Sequence, residues 1–260
     1  MRTAIISDIH SNLGALEAVL EDIDRRGVDR IVCLGDIIGY GPNPVQCVDL
    51  VQQRCEWALL GNHDFGVIYE PTNFNTVAED AAFWTRRELE RQKAEDPAGF
   101  IRRWDFLNRL KTRWQEGEFL CVHGSPRKPI NEYLFPADTQ SDPHKITKVF
   151  DYIERACLCG HTHWPGVFTD DGEFYKPDEL KDHTYTVRPD EKAIINPGSV
   201  GQPRDGDPRA SYAIMETGDG AAPTTVTFHR VPYDVQHTVD LIHAIPELHP
   251  MLGDRLLDGK

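Results

Sequence analysis

Five short segments carry the residue types that hold divalent metals: Asp8-Ile9-His10, Gly35-Asp36, Gly61-Asn62-His63-Asp64, His123-Gly124 and Gly160-His161-Thr162-His163. Carboxylate and imidazole donors suit Mn, Fe, Zn, Co or Ni and leave coordination positions for water. Two such ions about 3.5–4 Å apart can share a carboxylate and a water, the arrangement used for in-line displacement at phosphorus. Asp36 is the natural shared carboxylate. Each segment alone has a bland reading as a turn or a loop with solvated histidines. Together they are hard to explain that way, because each one directly follows an apolar run.

Those apolar runs are the elements that must position the chemistry. Residues 3–7, 30–34, 56–60, 118–122 and 156–159 read as strands. Loops at the carboxyl ends of sheet strands are where α/β folds build sites, and the glycines let backbone approach an ion or a phosphate. Between the first two strands, Leu13, Leu16, Val19, Leu20 and Ile23 repeat at helical spacing, with Gly27 as the stop. Asn43 is placed to cap a helix with Pro44 at its first position. Residues 65–115 are charged and aromatic-rich and read as two helices over the site. A further helix is expected around Ile146, Val149, Phe150 and Ile153. Beyond Trp164 the pattern is β-rich: a hairpin turning at Asp170-Asp171-Gly172, then strands at 193–195, 211–215 and 224–231, the last two joined by residues 218–223. From His237 onward one helix that then frays is expected. The whole reads as one α/β domain, 1–260, with a helical insertion at about 66–115.

Lys plus Arg total 28 against 42 for Asp plus Glu, a net charge of −14. Such a surface repels nucleic-acid backbones and anionic membranes, so nucleic acid is disfavoured as a partner. An anionic substrate needs local positive charge, which bound ions supply. No apolar stretch approaches the roughly 20 residues of a membrane span, and the N-terminal segment has no apolar leader. Six cysteines, four of them inside three apolar runs, read as reduced core thiols. A cytoplasmic protein is the expectation.

The ordered set D-x-H, GD, GNHD, HG and GHxH resembles the calcineurin-like metallophosphoesterases. DIIGYGPNP, VHGSP and INPGSVGQPRD are similar to the small bacterial branch that includes YfcE-like proteins. This resemblance, running from about Arg2 to Met215, implies a four-layer αββα sandwich of two mixed sheets flanked by helices. It implies two divalent ions, manganese first, with Fe, Ni, Co or Zn as alternatives. Asp8, His10, Asp36 and His163 would hold one ion; Asp36, Asn62, His123 and His161 would hold the other. His63 is similar to the family's catalytic histidine, which some members of the branch replace with Cys, and would act as general acid. The ions would lower the pKa of a bridging water so that hydroxide attacks near neutral pH.

Several residues keep two readings. Asp64 either orients His63 or caps the following turn. Asn12 either contacts phosphate or caps a helix, and Arg204 either binds a second phosphate or pairs with Asp205 or a nearby acid. Tyr40, Phe74 and Trp84 either stack on a nucleobase or pack the core. His144, His183, His229, His237, His243 and His249 lack partners at ligand spacing. The expected substrate is a small phosphodiester or dinucleoside polyphosphate; a phosphoprotein phosphatase or a non-catalytic metal-binding regulatory protein is the alternative.

Overall fold

Successive residues of a strand face opposite sides of the sheet, so a strand buried on both faces feeds two cores. In β1 (Arg2–Ile6), Ile5 packs into one apolar cluster while Ala4 and Ile6 pack into another. The same alternation recurs on the strand that pairs with it, where Ala213 and Met215 join Ile5, and Tyr212 and Ile214 join Ala4 and Ile6. This sorting generates layers.

The computed structural model describes residues 1–218 and 223–260. After β1 come α1 (Leu13–Arg26), β2 (Arg30–Cys33), α2 (Pro44–Arg54), β3 (Trp57–Ala58), α3 (Asn62–Ile68), α4 (Thr76–Glu95) and α5 (Pro97–Asn108). The middle of the chain forms β4 (Arg113–Glu116), β5 (Phe119–Val122), α6 (Asp138–Ser141), α7 (Pro143–Phe150) and β6 (Ala156–Leu158). Then follow β7 (Gly166–Thr169), β8 (Phe174–Tyr175), β9 (Thr184–Val187), β10 (Ala193–Asn196), β11 (Ala210–Glu216), β12 (Thr224–Val231), α8 (Val235–His243) and α9 (Met251–Asp258). One sheet has the order β3-β2-β1-β11-β12-β9, the other β4-β5-β6-β10-β7-β8. Both are mixed: β1–β2–β3 and β5–β6–β10 run parallel and the other pairings are antiparallel. Ile5, Val32, Leu34, Cys121, Leu158, Val167, Ile195 and Val226 fill the space between the sheets. Helices α1, α2, α4 and α5 contribute to the core on the outer face of the first sheet, and α7 to that of the second. The four-layer αββα arrangement expected from the resemblance is present.

Several expectations are corrected. The segment 65–115 is not helical throughout: its end forms β4, an edge strand paired with β5 in the register Arg113↔Val122 to Glu116↔Phe119. The third strand is shorter than residues 56–60, because only Trp57 and Ala58 complete the ladder with β2. Asn43 does occupy the N-cap of α2 with Pro44 next, but its side chain makes no capping bond. The tail does not fray after one helix. Its two helices and the turn between them bury Val239, Ile242, Leu248, Leu252 and Leu256 against Tyr40, Ala78, Ala81 and Trp84. The expected link between β11 and β12 includes residues 219–222, which lie outside the described residues. All six cysteines are free thiols and five are buried.

Candidate metal centre

The five loops meet because β1, β2, β5 and β6 end at one edge of the layers and the short β3 ends beside them. Asp8 N–H donates to Gly35 O (3.0 Å), Ile9 and His10 N–H to Asp36 O (2.8 and 3.0 Å), and Gly160 N–H to His123 O (2.8 Å). The backbone of the first loop is therefore clamped to the second, and that of the fifth to the fourth. Asp8 (φ +54), His10 (+48), Asp36 (+52), His161 (+70) and His163 (+62) all hold left-handed backbone. That conformation is rare for non-glycine residues and costs about 1–3 kcal/mol each. Five such residues at the donor positions mark a place where side-chain aim outweighs backbone comfort.

Two glycines make the convergence possible. A Cβ on Gly61 would lie 2.0 Å from Asp36 Oδ1, and one on Gly160 would lie 2.6 Å from Asp8 Oδ2. Any side chain there would displace a carboxylate.

Asp8, His10, Asp36, Asn62, His123, His161 and His163 are brought together, none more than 7% exposed. His163 Nε2 lies 3.2 Å from Asp8 Oδ1, and His10 Nε2 lies 3.1 Å from His163 Nε2. Asp36 Oδ2 stands between two groups, 3.6 Å from His10 Nε2 and 3.3 Å from His123 Nε2. Asn62 Oδ1 is 3.2 Å from His123 Nε2. Donor atoms of Asp8, His10 and His163 all lie within 4.8 Å of one another, as do those of Asp36, His123 and His161 and those of His10, Asp36 and His63.

Ring orientation is fixed from outside the cluster. His123 Nδ1 lies 3.0 Å from Leu34 O and His163 Nδ1 lies 2.5 Å from Gln202 O. A donated Nδ1–H leaves each Nε2 lone pair facing the centre, the usual device for a metal-binding histidine. Asp8 accepts His161 N–H at 3.0 Å, and Asp36 Oδ1 accepts His63 N–H at 2.8 Å.

The donor set fits divalent ions on a second ground. His10 Nδ1, His63 Nδ1 and His161 Nε2 are buried with no hydrogen-bond partner among the described residues. Leaving a buried polar atom unpaired costs about 1–3 kcal/mol, so three in one cluster call for a binding partner. Electrostatics agree. Burial alone would raise the Asp8 and Asp36 carboxyls, but His163 beside Asp8 and His123 beside Asp36 hold both well below the ordinary range. Burial holds His10, His161 and His163 neutral, below the usual imidazole value.

His123 differs. Burial would lower its pKa, but Asp36 and then Asp8 and Asp64 outweigh that and raise it to about 9. It therefore carries a proton at pH 8 in the metal-free chain, whereas a ligand histidine must be neutral. Metal binding should release about one proton per chain at pH 8, and apparent affinity should rise with pH up to about 9. Calorimetric metal titrations in buffers of different ionisation heat measure this directly. Heats that do not depend on the buffer would show that His123 is already neutral.

The remaining predicted residues separate. His63 stands within the cluster, its ring 4.9 Å from His10, 4.2 Å from Tyr40 and 4.6 Å from Phe74. Asp64 makes no hydrogen bond to it. Its carboxylate accepts N–H groups of Ile37 (3.0 Å), Ile38 (3.2 Å) and Gly61 (3.0 Å). Asp64 thus ties two site loops together and caps α3, and it has no direct hold on the His63 ring. Asn12 takes the cap role: Oδ1 accepts from Ala15 N–H and Thr238 Oγ1, and Nδ2 donates to Gly201 O and Tyr233 Oη. Its hydrogen-bonding capacity is filled, which leaves none for phosphate. Arg204 lies near enough to the centre for its charge to lower the pKa of the His63 and His163 rings. It does not pair with Asp205, which pairs with Arg230 instead; its Nη2 donates to Gln202 Oε1 (2.9 Å), and its buried Nε is unpartnered among the described residues. Of the three aromatics, Tyr40 and Phe74 wall the site, and Trp84 packs in the core formed with α8 and α9.

Sequence reasoning missed Tyr133. Its ring stacks on His161 at 3.7 Å and 23°, and Phe135 lies parallel to it at 5.3 Å and 3°. The available signal was a Tyr-x-Phe pair in an otherwise polar stretch soon after VHGSP.

Residues 1–220 match the calcineurin-like phosphoesterase superfamily domain. The chain belongs to that superfamily. This phosphoesterase is 36% identical to an uncharacterized protein of Methanocaldococcus jannaschii, over 99% of this chain and 98% of that one. It is 25% identical to phosphodiesterase YfcE of Escherichia coli, over 83% of this chain and 88% of that one. A crystal structure of a metallophosphoesterase from Sphaerobacter thermophilus superposes with a TM-score of 0.82 at 38% identity, covering 100% of this chain and 99% of the other. A protein of Pyrococcus horikoshii shares the fold, with a TM-score of 0.72 at 18% identity, over 100% of this chain and 98% of that one. The phosphoesterase is a phosphoester hydrolase whose His/Asp cluster suits divalent metal. Among its described residues, no helix is long and apolar enough to cross a membrane.

Proposed function

We propose that the phosphoesterase uses two divalent ions to hydrolyse a small phosphodiester or phosphoanhydride, nucleotides included. The observation that carries this is the place of Asp36, whose Oδ2 lies within 3.6 Å of the donor nitrogens of both His10 and His123. One carboxylate serving two sets of donors is what a dinuclear site requires. Asp8, His10, Asp36 and His163 would hold one ion, and Asp36, Asn62, His123 and His161 the other. Bound there, the ions supply Lewis acidity toward phosphoryl oxygens and activate water for attack.

The chain's own groups do the rest. Asn62 contributes an amide oxygen without negative charge, which keeps the centre electrophilic. His63 is the proton donor to the leaving oxygen. Burial, and then the charges of Arg204 and of protonated His123, outweigh the attraction of Asp36 and lower it to about 4 in the free chain. Its proton must therefore be stabilised by the negative charge that an anionic substrate brings. Tyr40, Phe74 and Tyr133 narrow the approach, which favours small substrates over a folded phosphoprotein.

Metal-depleted protein, reloaded with Mn, Fe, Ni, Co or Zn, should regain hydrolysis of diesters or anhydrides at two ions per chain. Saturation of activity at one ion per chain would reject the dinuclear reading. Manganese is the ion we expect to restore the highest rate.

Arg204 supplies a prediction about substrate. Its guanidinium lies near enough to His63, His163 and Tyr40 for its charge to act on all three. Arg204→Ala should raise KM for a polyphosphorylated substrate about tenfold more than KM for a small aryl diester, since hydrogen bonds to charged groups contribute about 1.5–3 kcal/mol. Equal changes in the two KM values would mean that Arg204 only holds its loop.

A further inference from the structure

Four of the five tryptophans pack the cores. Trp57 and Trp114 pack into the core between the sheets, Trp104 against the core on the outer face of the first sheet, and Trp84 into the core formed with α8 and α9. Trp164 joins none of these apolar clusters, although it is half-buried. It lines instead a cavity of about 450 Å³, within the range of about 300–1,000 Å³ usual for small-molecule sites. A half-buried indole that packs no core keeps a large apolar face for another partner.

The cavity stands beside the metal centre. Trp164 follows His163 directly, and Asp205, also on the cavity wall, follows Arg204. Strand pairing puts the other walls at the same edge of the sheets. Gly166 of β7 opposes Asn196, the last residue of β10, and β10 runs parallel to β6, whose end delivers His161 and His163. In the first sheet Arg230 opposes Ser211, and β11 runs antiparallel to β1, so residues 228–230 lie toward the end of β1 that delivers Asp8 and His10. His183 precedes Thr184, which opposes Thr227. Pro165 restricts the backbone of Trp164 to extended conformations, which places the indole in advance of binding.

The wall chemistry selects the occupant. Arg209 is paired with Asp207 at 2.6 Å, Arg230 with Asp205, and His183 Nδ1 lies 3.5 Å from Asp178. These groups satisfy one another and leave the exposed Lys176 as the one charged group of the wall without such a partner among the described residues. A second phosphate would find little free positive charge here. A neutral, flat heterocycle would find the faces of Trp164 and Phe228 and a polar rim for its edge.

We propose that this cavity binds the nucleoside part of the substrate, with the base stacked on Trp164, which makes the substrate a nucleotide ester. The inference rests on the metal-centre reading above and narrows its substrate class.

The test uses the metal-loaded full chain and measures binding by calorimetry with two probes, adenosine monophosphate and inorganic phosphate. Wild type should prefer the nucleotide. Trp164→Ala should reduce that preference about 5- to 100-fold, the usual loss when the aromatic partner of a base is removed, and Trp164→Phe should keep most of it. Because phosphate reports the metal centre, the ratio is insensitive to a general loss of stability or of metal, which lowers both affinities together. Adenosine monophosphate should also quench tryptophan emission in wild type and not in Trp164→Phe, which retains the four core tryptophans. No preference in wild type, an unchanged ratio in Trp164→Ala, or a quench that persists in Trp164→Phe would overturn the assignment. Hydrolysis of bis(p-nitrophenyl) phosphate by wild type is measured in parallel. If it were absent with every metal, the hydrolytic reading would fall and the cavity would stand as a nucleotide site alone; if it were present with an unchanged ratio, only the cavity assignment would fall.

Discussion

Asp36→Asn should strip both ions from the phosphoesterase, taking metal content from two per chain to below one. The substitution keeps shape and removes charge, so it isolates the electrostatic part of the site. Asp36 Oδ1 accepts His63 N–H at 2.8 Å, while Oδ2 faces His10 and His123. An asparagine can satisfy one of these with its oxygen, but its NH2 must then point at a donor or at the lone pair of a ligand. Both donor groups lose their shared negative charge at once. His10→Ala or His163→Ala removes a donor from one group and should weaken one ion first. Lewis-acid stabilisation contributes several kcal/mol to the transition state, and each tenfold in rate is about 1.4 kcal/mol, so turnover should fall by about 10²–10⁴. Elemental analysis and steady-state rates on the same preparation decide it. Two tightly held ions with near wild-type turnover would show that Asp36 does not bridge.

The metal-free variant should also be less stable than metal-free wild type at neutral pH. Burial would raise the Asp36 carboxyl, but His123 holds it well below its ordinary range, and a carboxylate depressed in the folded state contributes stability above its unfolded value that a neutral asparagine lacks. Relief of Asp64, whose carboxyl is raised to about 7 by burial and then by the Asp36 charge, offsets part of that loss. Thermal melts with chelator separate this from metal loss: the variant should melt below wild type without metal and further below it with metal. A metal-free variant that melts at or above wild type would show that the repulsion with Asp64 outweighs the pairing with His123.

How much of this was legible depends on whether a residue's partners leave a trace in sequence. The loops after β1, β2, β5 and β6 were legible because a doubly buried strand is a short apolar run, and its end is abrupt. β4 was not. Its residues Arg-Trp-Gln-Glu are alternately exposed and half-buried on a sheet edge, so they carry none of the apolar signal of a central strand and read as the end of a charged helix. Asp64 was ambiguous for a different reason. Its partners include the backbone amides of Ile37 and Ile38, 27 and 26 residues earlier, and an amide has no side-chain signature. Tyr133 reaches the site only through tertiary packing on His161 and sits in no motif. The candidate metal donors were readable because chemistry fixes their types; the aromatic and basic groups around them were not, because many residue types can fill such places.

His63→Ala should lower kcat by about 10²–10⁴-fold for a poor leaving group such as an alkoxide, the usual contribution of general acid catalysis. The loss should be much smaller for p-nitrophenolate, which departs without much protonation. The structure sharpens this expectation. The His63 backbone is pinned by Asp36 Oδ1, but its Nδ1 is buried and unpartnered among the described residues, so the ring is placed without being consumed. Its donor atom also falls within 4.8 Å of those of His10 and Asp36, which puts a ligand role within reach on distance alone. The two roles differ in what alanine removes. If His63 donates a proton, two ions per chain survive the substitution and the rate loss grows with the pKa of the leaving group. If it is a ligand, metal content drops and all leaving groups suffer alike. A plot of log kcat against leaving-group pKa, with metal content measured on each sample, therefore decides between them: a steeper slope at constant metal supports the proton donor, and a parallel shift with lost metal rejects it.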